Sequence, residues 1–163
     1  MRHEEGRRSA IGIWHSVGLC RQTAAFPGLR RKVHKFKVKT SGKSEMADIS
    51  REAAAIVRES GVASGICHIF VPHTTCGLAI NENADPDVKR DIMDKLNESV
   101  SEDFPYRHSE GNSPAHIKSV LVGPSLTVFI EDGRLQLGRW QGIYLCEYDG
   151  PRNREIWVKL VKT

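Results

Sequence analysis

The stretch Gly65–Val88, GICHIFVPHTTCGLAINENADPDV, decides how the rest of the chain is read. GICHIFV (65–71) is an apolar run of strand length, closed off by Pro72, and reads as a buried strand. Beyond the proline, TTCGLAI (74–80) reads as a second strand. Asp85-Pro86 is an N-cap followed by proline at the first helical position, where the missing N–H would be unpaired anyway. Val88, Ile92, Leu96 and Val100 then recur every four residues, with Met93 beside them, as the stripe of an amphipathic helix. Buried strands feeding a capped helix define a mixed α and β chain.

Toward the N-terminus, VHKFKVKT (33–40) alternates with period two and reads as a half-buried strand with Lys35, Lys37 and Lys39 on its open face. A lysine row of this kind discourages edge-to-edge pairing. Phe36 falls on the opposite face and nothing aromatic interleaves with the lysines on theirs, so the row reads as a solvated face rather than a nucleic-acid patch. Ser44 caps a helix predicted to run to about Glu59, with Met46, Ile49, Ala53, Ile56 and Val57 on one face and Ser60-Gly61 as its stop. Toward the C-terminus, 101–114 is a polar loop of unusual length, followed by a short AHIKS segment. SVLVG (119–123) and SLTVFI (125–130) read as strands, Glu131-Asp132-Gly133 as a turn, and roughly 134–148 and 154–162 as further strands. The expected class is α+β, with helices early and a meander of strands late.

At 163 residues, 39% hydrophobic and 27% charged, the chain fits one globular domain with an appendage. No apolar stretch approaches the roughly 18 residues of a membrane span. The formal charge of +4 is unevenly placed. Residues 1–32 hold seven basic groups (Arg2, Arg7, Arg8, Arg21, Arg30, Arg31, Lys32) against Glu4 and Glu5, and residues 33–163 net −1. We therefore expect a basic N-terminal extension over 1–32, outside the fold, and a single domain over 33–163. The extension fails as a secretory signal, because His15 and Ser16 interrupt its apolar stretch. Cys20, Cys67, Cys76 and Cys146 form no CxxC pair, and Cys67 and Cys146 lie in apolar runs where a free thiol acts as a small hydrophobe. Reduced thiols and a cytoplasmic location are the expectation; a membrane or nucleic-acid partner is not.

Three regions gather reactive side chains at strand ends: 72–87, 106–119 and 134–154. His73, His108 and His116 all stand in loop or turn contexts, and three imidazoles with an open position suit a catalytic zinc. The spacing of His108 and His116 matches no standard metal motif, and histidines that merely cap backbone groups remain the alternative. Thr74, Thr75, Lys118 and Ser119 offer hydroxyls and a cation for an anion. Asp85 and Asp87 either cap their helix or hold Mg²⁺ through carboxylate oxygens. Gln136, Gln141 and Glu147 surround Trp140 as a substrate wall or a sheet corner, and Arg152 and Arg154 flank Pro151 as a phosphate clamp or as surface charges. There is no P-loop, GxSxG elbow or HExxH.

Four motifs in this order, HTTCG, NENADPDV, YxHxEGNxxAHIK (Tyr106–Lys118) and GRxQxGxWQGIxLxE (Gly133–Glu147), resemble the YjbQ-like family, described as a secondary thiamine-phosphate synthase. The resemblance covers 33–163 and implies a two-sheet strand sandwich with two or three helices, assembled as a homotrimer. It implies a pocket built from the histidine motifs that holds a divalent metal, zinc or magnesium, or an anion, with His73, His108 and His116 as metal and catalytic candidates and Glu110 as a further catalytic candidate. Thr74, Thr75, Asn83, Asp85, Lys118, Gln141 and Arg154 become candidates for binding a small phosphorylated metabolite. The implied reaction joins a hydroxymethylpyrimidine pyrophosphate to a thiazole phosphate. Two alternatives stay open: a metal-dependent hydrolase or lyase on another phosphorylated metabolite, and a non-catalytic metal- or anion-binding module.

Overall fold

In the structure, a computed structural model that describes residues 32–163, the run Gln141–Glu147 is a strand buried at every position after its first. A strand covered on both faces belongs in the middle of a layered fold. The elements in chain order are β1 (Val33–Lys39), β2 (Glu45–Asp48), α1 (Ser50–Ser60), β3 (Gly65–Phe70), β4 (Cys76–Glu82), α2 (Pro86–Ser99), α3 (Ser113–Val122), β5 (Ser125–Glu131), β6 (Arg134–Leu135), β7 (Gln141–Glu147) and β8 (Asn153–Lys162). They build an α+β architecture of two antiparallel sheets and three helices. One sheet runs β1-β8-β3-β5-β6 and the other β2-β7-β4. The expectations for the extension up to Arg31, Cys20 included, fall outside the described residues.

The two sheets face each other across one core. Cys67, Ile69, Val128, Ile130, Ile156 and Val158 from the first sheet meet Leu78, Ile143 and Leu145 from the second, and Ile49, Ala53 and Val57 of the α1 region close the same cluster. The other face of β7 points Tyr144 and Cys146 into a smaller core with Met93 of α2 and Ala115 of α3. The layers over β7 are therefore sheet, sheet and the helices α2 and α3, with β7 in the middle. Cys67, Cys76 and Cys146 are free and buried; burial pushes the thiols of Cys67 and Cys146 up to about 11 and that of Cys76 up to about 12. No helix among the described residues is long and apolar enough to cross a membrane.

Three expectations are corrected. The helix does not begin near Ser44: residues 45–48 are a strand on β7, with Met46 opposite Cys146 and Ala47 opposite Leu145. Met46 packs on the small core and Ala47 on the large one, and this two-sided burial outweighs the helical spacing read across them. The predicted strand 119–123 is instead the second half of α3. Its inward positions are Ala115, Lys118, Ser119 and half-buried Val122, a helical spacing disguised by two polar residues, while apolar Val120 and Leu121 face outward at 82% and 64% exposure. The strand predicted over 134–148 is two strands in different sheets, broken where Gly138 donates its N–H to the Gln141 side chain at 2.7 Å. The turn before it is as expected: Asp132 and Gly133 both have positive φ, 51° and 70°, the pair a two-residue hairpin turn needs. The capped start of α2 also stands, with the Asp85 carboxylate accepting the Asp87 N–H at 2.8 Å.

The lysine row lies on the edge strand β1 as read, but it has aromatic company from a distant part of the chain. Lys35 Nζ sits 4.4 Å from the Trp157 ring centroid, and Phe70 packs on the same tryptophan at 5.9 Å.

Candidate functional site

Strands β4 and β7 pair in register from Cys76 opposite Glu147 to Glu82 opposite Gln141, and the polar motif residues gather at the two ends of this ladder. At the first end, His73, Thr74 and Thr75 precede β4, Asp149 and Arg152 follow β7, and Arg154 opens β8. With Glu110, Asn112 and His116 from the loop and first turn of α3, they line a cavity of about 330 Å³.

One lining residue, Arg154, belongs to a buried ion pair with Glu147. Glu147 is fully buried and Arg154 is 4% exposed. Arg154 donates Nε to Oε2 at 2.7 Å and Nη2 to Oε1 at 2.5 Å, a bidentate contact, and Nη2 also meets the Thr75 hydroxyl at 2.8 Å. Glu147 Oε1 further accepts the N–H groups of Tyr148 and Asp149 at 3.0 and 2.9 Å, and the Thr40 hydroxyl lies 3.1 Å from Oε2. Burial alone would raise the Glu147 pKa, but the Arg154 bond and the backbone donors outweigh it and hold the carboxyl below its usual range. Burial likewise opposes the Arg154 charge, and the bonds to Glu147 overcome it. Nη1 of Arg154 makes no hydrogen bond among the described residues, and Arg154 is one of the residues lining the cavity.

The wall repeats the theme with less burial. Arg152 donates Nε to the Asp149 carbonyl and Nη2 to its carboxylate, both at 2.7 Å, and Asn112 donates to the same carboxylate at 3.1 Å. Burial raises the Asp149 pKa, but the bonds from Asn112 and Arg152 dominate and bring it below normal. The Oδ1 of Asn112 is buried and has no hydrogen-bond partner among the described residues. His73 accepts the Glu155 backbone N–H through Nε2 at 2.9 Å. Desolvation, then the Arg154 charge, pull its pKa below 6.5, so at neutral pH it is uncharged with its proton on Nδ1.

His116 also lines a second, more apolar cavity of about 410 Å³ with Tyr106, His108, Ser113 and Ile117. The His108 and His116 rings meet edge to face at 5.4 Å, and His108 Nε2 lies 3.8 Å from Glu110 Oε2 on the exposed rim.

Among the sequence candidates, His73, Thr74, Thr75, Glu110, His116 and Arg154 share the polar cavity, and His108 lines the adjoining one. Asn83, Asp85 and Gln141 lie at the other end of the ladder, about 20 Å away at the rise of an antiparallel strand. There Asn83 donates to Asp48 at 2.7 Å, and Asp85 caps α2. Lys118 is buried beneath α3 with Nζ 2.5 Å from Asn97 Oδ1, and is not among the residues lining the cavity. Glu147 and Arg152, weighed in the sequence only as a wall and a clamp, belong to the cavity's ion pairs. Asn112 stands in the Tyr106–Lys118 motif without an assigned role, and Asp149 was not singled out; the DGP turn was its only signal. Among the described residues no three His, Cys, Asp or Glu side chains stand close enough to hold one ion. His73 uses Nε2 as an acceptor, and the described residues of this chain do not bring the three histidines together as a metal shell.

The two-sheet α+β domain and its polar motif cavity define a family. The family described as "UPF0047 protein YjbQ-like" matches residues 34–163, and the chain belongs to it. It is 50% identical over 127 residues to UPF0047 protein YugU of Bacillus subtilis, covering 77% of this chain and 96% of that one. It is 48% identical over 131 residues to UPF0047 protein MJ1081 of Methanocaldococcus jannaschii, covering 80% and 95%. The crystal structure of a YjbQ/UPF0047 family protein from Clostridium acetobutylicum superimposes with a TM-score of 0.77 at 48% identity, covering 78% of this chain and 99% of that one. A YbjQ-like protein from Sulfolobus solfataricus does so with a TM-score of 0.78 at 32% identity, covering 81% and 97%. The names of these relatives are family designations and state no reaction.

Proposed function

We propose that the polar cavity binds the phosphate of a small phosphorylated metabolite, and that the protein is a transferase of the thiamine-phosphate-synthase type. The observation that carries this reading is Arg154, held by Glu147 through Nε and Nη2 and lining a cavity that Arg152, Thr74, Thr75 and His73 also line. Fixed donors around a small cavity stabilise an oxyanion without reorganising as charge develops.

In the proposed reaction the thiazole ring nitrogen attacks the methylene carbon of the pyrimidine. The bond from that carbon to the pyrophosphate oxygen breaks, and the bonding pair leaves with pyrophosphate. The protein performs no covalent step. Arg154, Arg152 and neutral His73 would donate hydrogen bonds to the departing pyrophosphate from fixed positions. A divalent cation, zinc or magnesium, enters this proposal as the pyrophosphate's companion rather than as an ion held by the three histidines. We further propose the homotrimer, with the outer face of the larger sheet as its contact. Phe129 (67% exposed) and Val161 (46%) flank Ile66 there in register across three strands, and light scattering reads the mass.

The test is thiamine phosphate formation from the two phosphorylated halves. Wild-type and His116→Ala proteins are purified from a host lacking its own synthase. Saturable product from the wild type alone supports the reading. Equal traces from both overturn it and leave a hydrolytic or binding site.

A further inference from the structure

We propose that Glu147 is the positioning residue of this site: its carboxylate clamps the Arg154 guanidinium edge-on, so that Nη1 is presented to the cavity in a single orientation. This rests on the anion-binding reading above. Both carboxylate oxygens are engaged: Oε1 by Nη2 of Arg154 and by the N–H groups of Tyr148 and Asp149, Oε2 by Nε of Arg154 with the Thr40 hydroxyl beside it. A group held from five directions cannot swing. The surrounding backbone is closed around it as well. A Cβ built on Gly150 would stand 2.9 Å from Glu147 Cγ, 3.1 Å from Thr40 Oγ1 and 2.2 Å from the Gly42 carbonyl oxygen.

The clamp also settles the charge the site offers. An arginine with a bidentate carboxylate behind it is locally neutralised, and its remaining N–H groups act as directional donors more than as a bare cation. Specificity for a phosphate then comes from geometry, and an anion such as chloride, which lacks the tetrahedral set of acceptors, competes weakly. Glu147 touches no ligand itself; it acts through Arg154.

The experiment titrates inorganic phosphate into wild-type protein and into Glu147→Gln, Arg154→Lys and the double variant. Arg154 Nε–H is followed by ¹H–¹⁵N NMR alongside calorimetry. The amide of Glu147→Gln keeps the volume but accepts from Arg154 on one side only. We expect phosphate affinity to fall about tenfold or more in each single variant, with little further loss in the double variant. The Arg154 Nε–H signal, slow to exchange in the wild type, broadens or is lost in Glu147→Gln. A purely structural role would lower the melting temperature and leave the phosphate affinity of the folded fraction and this signal unchanged, which overturns the inference. If Glu147→Gln does not fold, Thr40→Val removes one contact to Oε2, and an unchanged Nε–H signal and affinity in it counts against the clamp. Wild-type protein that binds no phosphate overturns the anion reading itself; wild type and Glu147→Gln binding equally overturn only the role of Glu147.

Discussion

The imidazole of His73 accepts the backbone N–H of Glu155 through Nε2 at 2.9 Å, which ties the loop after β3 to the start of β8 and fixes the ring's tautomer. Because Nε2 must keep its lone pair, the neutral ring carries its proton on Nδ1.

Stability follows from this with a definite sign. Burial and the nearby Arg154 charge lower the His73 pKa below 6.5, so the unfolded chain binds a proton more readily than the folded one. The contribution of His73 is complete above pH 6.5 and is lost as pH falls from there through the folded pKa. Glu147, also depressed, adds a second loss below about its ordinary 4.5. Melting temperature measured from pH 8 to pH 3 is expected to be flat at the top and to decline in two stages. His73→Phe removes the upper stage only. A melting temperature that rises as pH drops from 7 to 5 contradicts the assignment.

The buried pair predicts an asymmetry between single and double substitutions. Arg154→Leu leaves the Glu147 carboxylate fully buried without its cation and is expected to destabilise by about 3–5 kcal/mol. Arg154→Leu combined with Glu147→Leu removes both charges and is expected to recover a large part of that loss. Urea unfolding of wild type, Arg154→Leu, Glu147→Leu and the double variant checks it; a double variant as unstable as the sum of the singles rejects it.

What could be read beforehand divides by how local its cause is. The Asp85-Pro86 cap and the Asp132-Gly133 turn are settled within a few residues, and both stand in the structure. The strand at Glu45–Asp48 exists only because β7, about a hundred residues later, offers it a partner, and no local pattern contains that partner. The inward face of α3 was obscured because two of its buried positions, Lys118 and Ser119, are polar. Ser119 is buried because its hydroxyl donates to the Cys76 carbonyl at 2.7 Å. The candidate cavity was legible in the same partial way. His73, Thr74, Thr75, Glu110, His116 and Arg154 meet at one end of the β4–β7 ladder, while Asn83, Asp85 and Gln141 stand at the other, a division that chain order cannot express.

Gly150 is expected to tolerate no side chain. A Cβ there would lie 2.2 Å from the Gly42 carbonyl oxygen, a backbone atom that cannot rotate aside. Gly150 also donates its N–H to the Lys43 carbonyl at 3.0 Å, so the two turns are tied as well as packed. Gly150→Ala must part them and is expected to cost about 2 kcal/mol or more, within the range of overpacking. Gly61→Ala, where nothing lies within 4 Å of the added carbon, is the control for left-handed strain alone and should cost about 1 kcal/mol. Thermal unfolding of both ranks them; equal losses would show that the 147–150 turn yields more readily than its contacts indicate.

The last prediction concerns the metal. In the proposed site phosphate would rest on Arg154, Arg152, His73 and Thr75, whose positions are set by protein contacts. Phosphate affinity is therefore expected to stay within about twofold after EDTA and dialysis, because fixed, charge-assisted donors already meet the ligand. Pyrophosphate, with more charge to neutralise, is expected to gain affinity when magnesium is restored, since that ion binds readily through phosphate oxygens. Isothermal titration of both anions with and without the ion separates the cases. A tenfold loss of phosphate affinity on chelation would mean that an ion is part of the cavity wall after all. His108→Ala and His116→Ala, tested for zinc retention, would then show whether the histidine pair holds it.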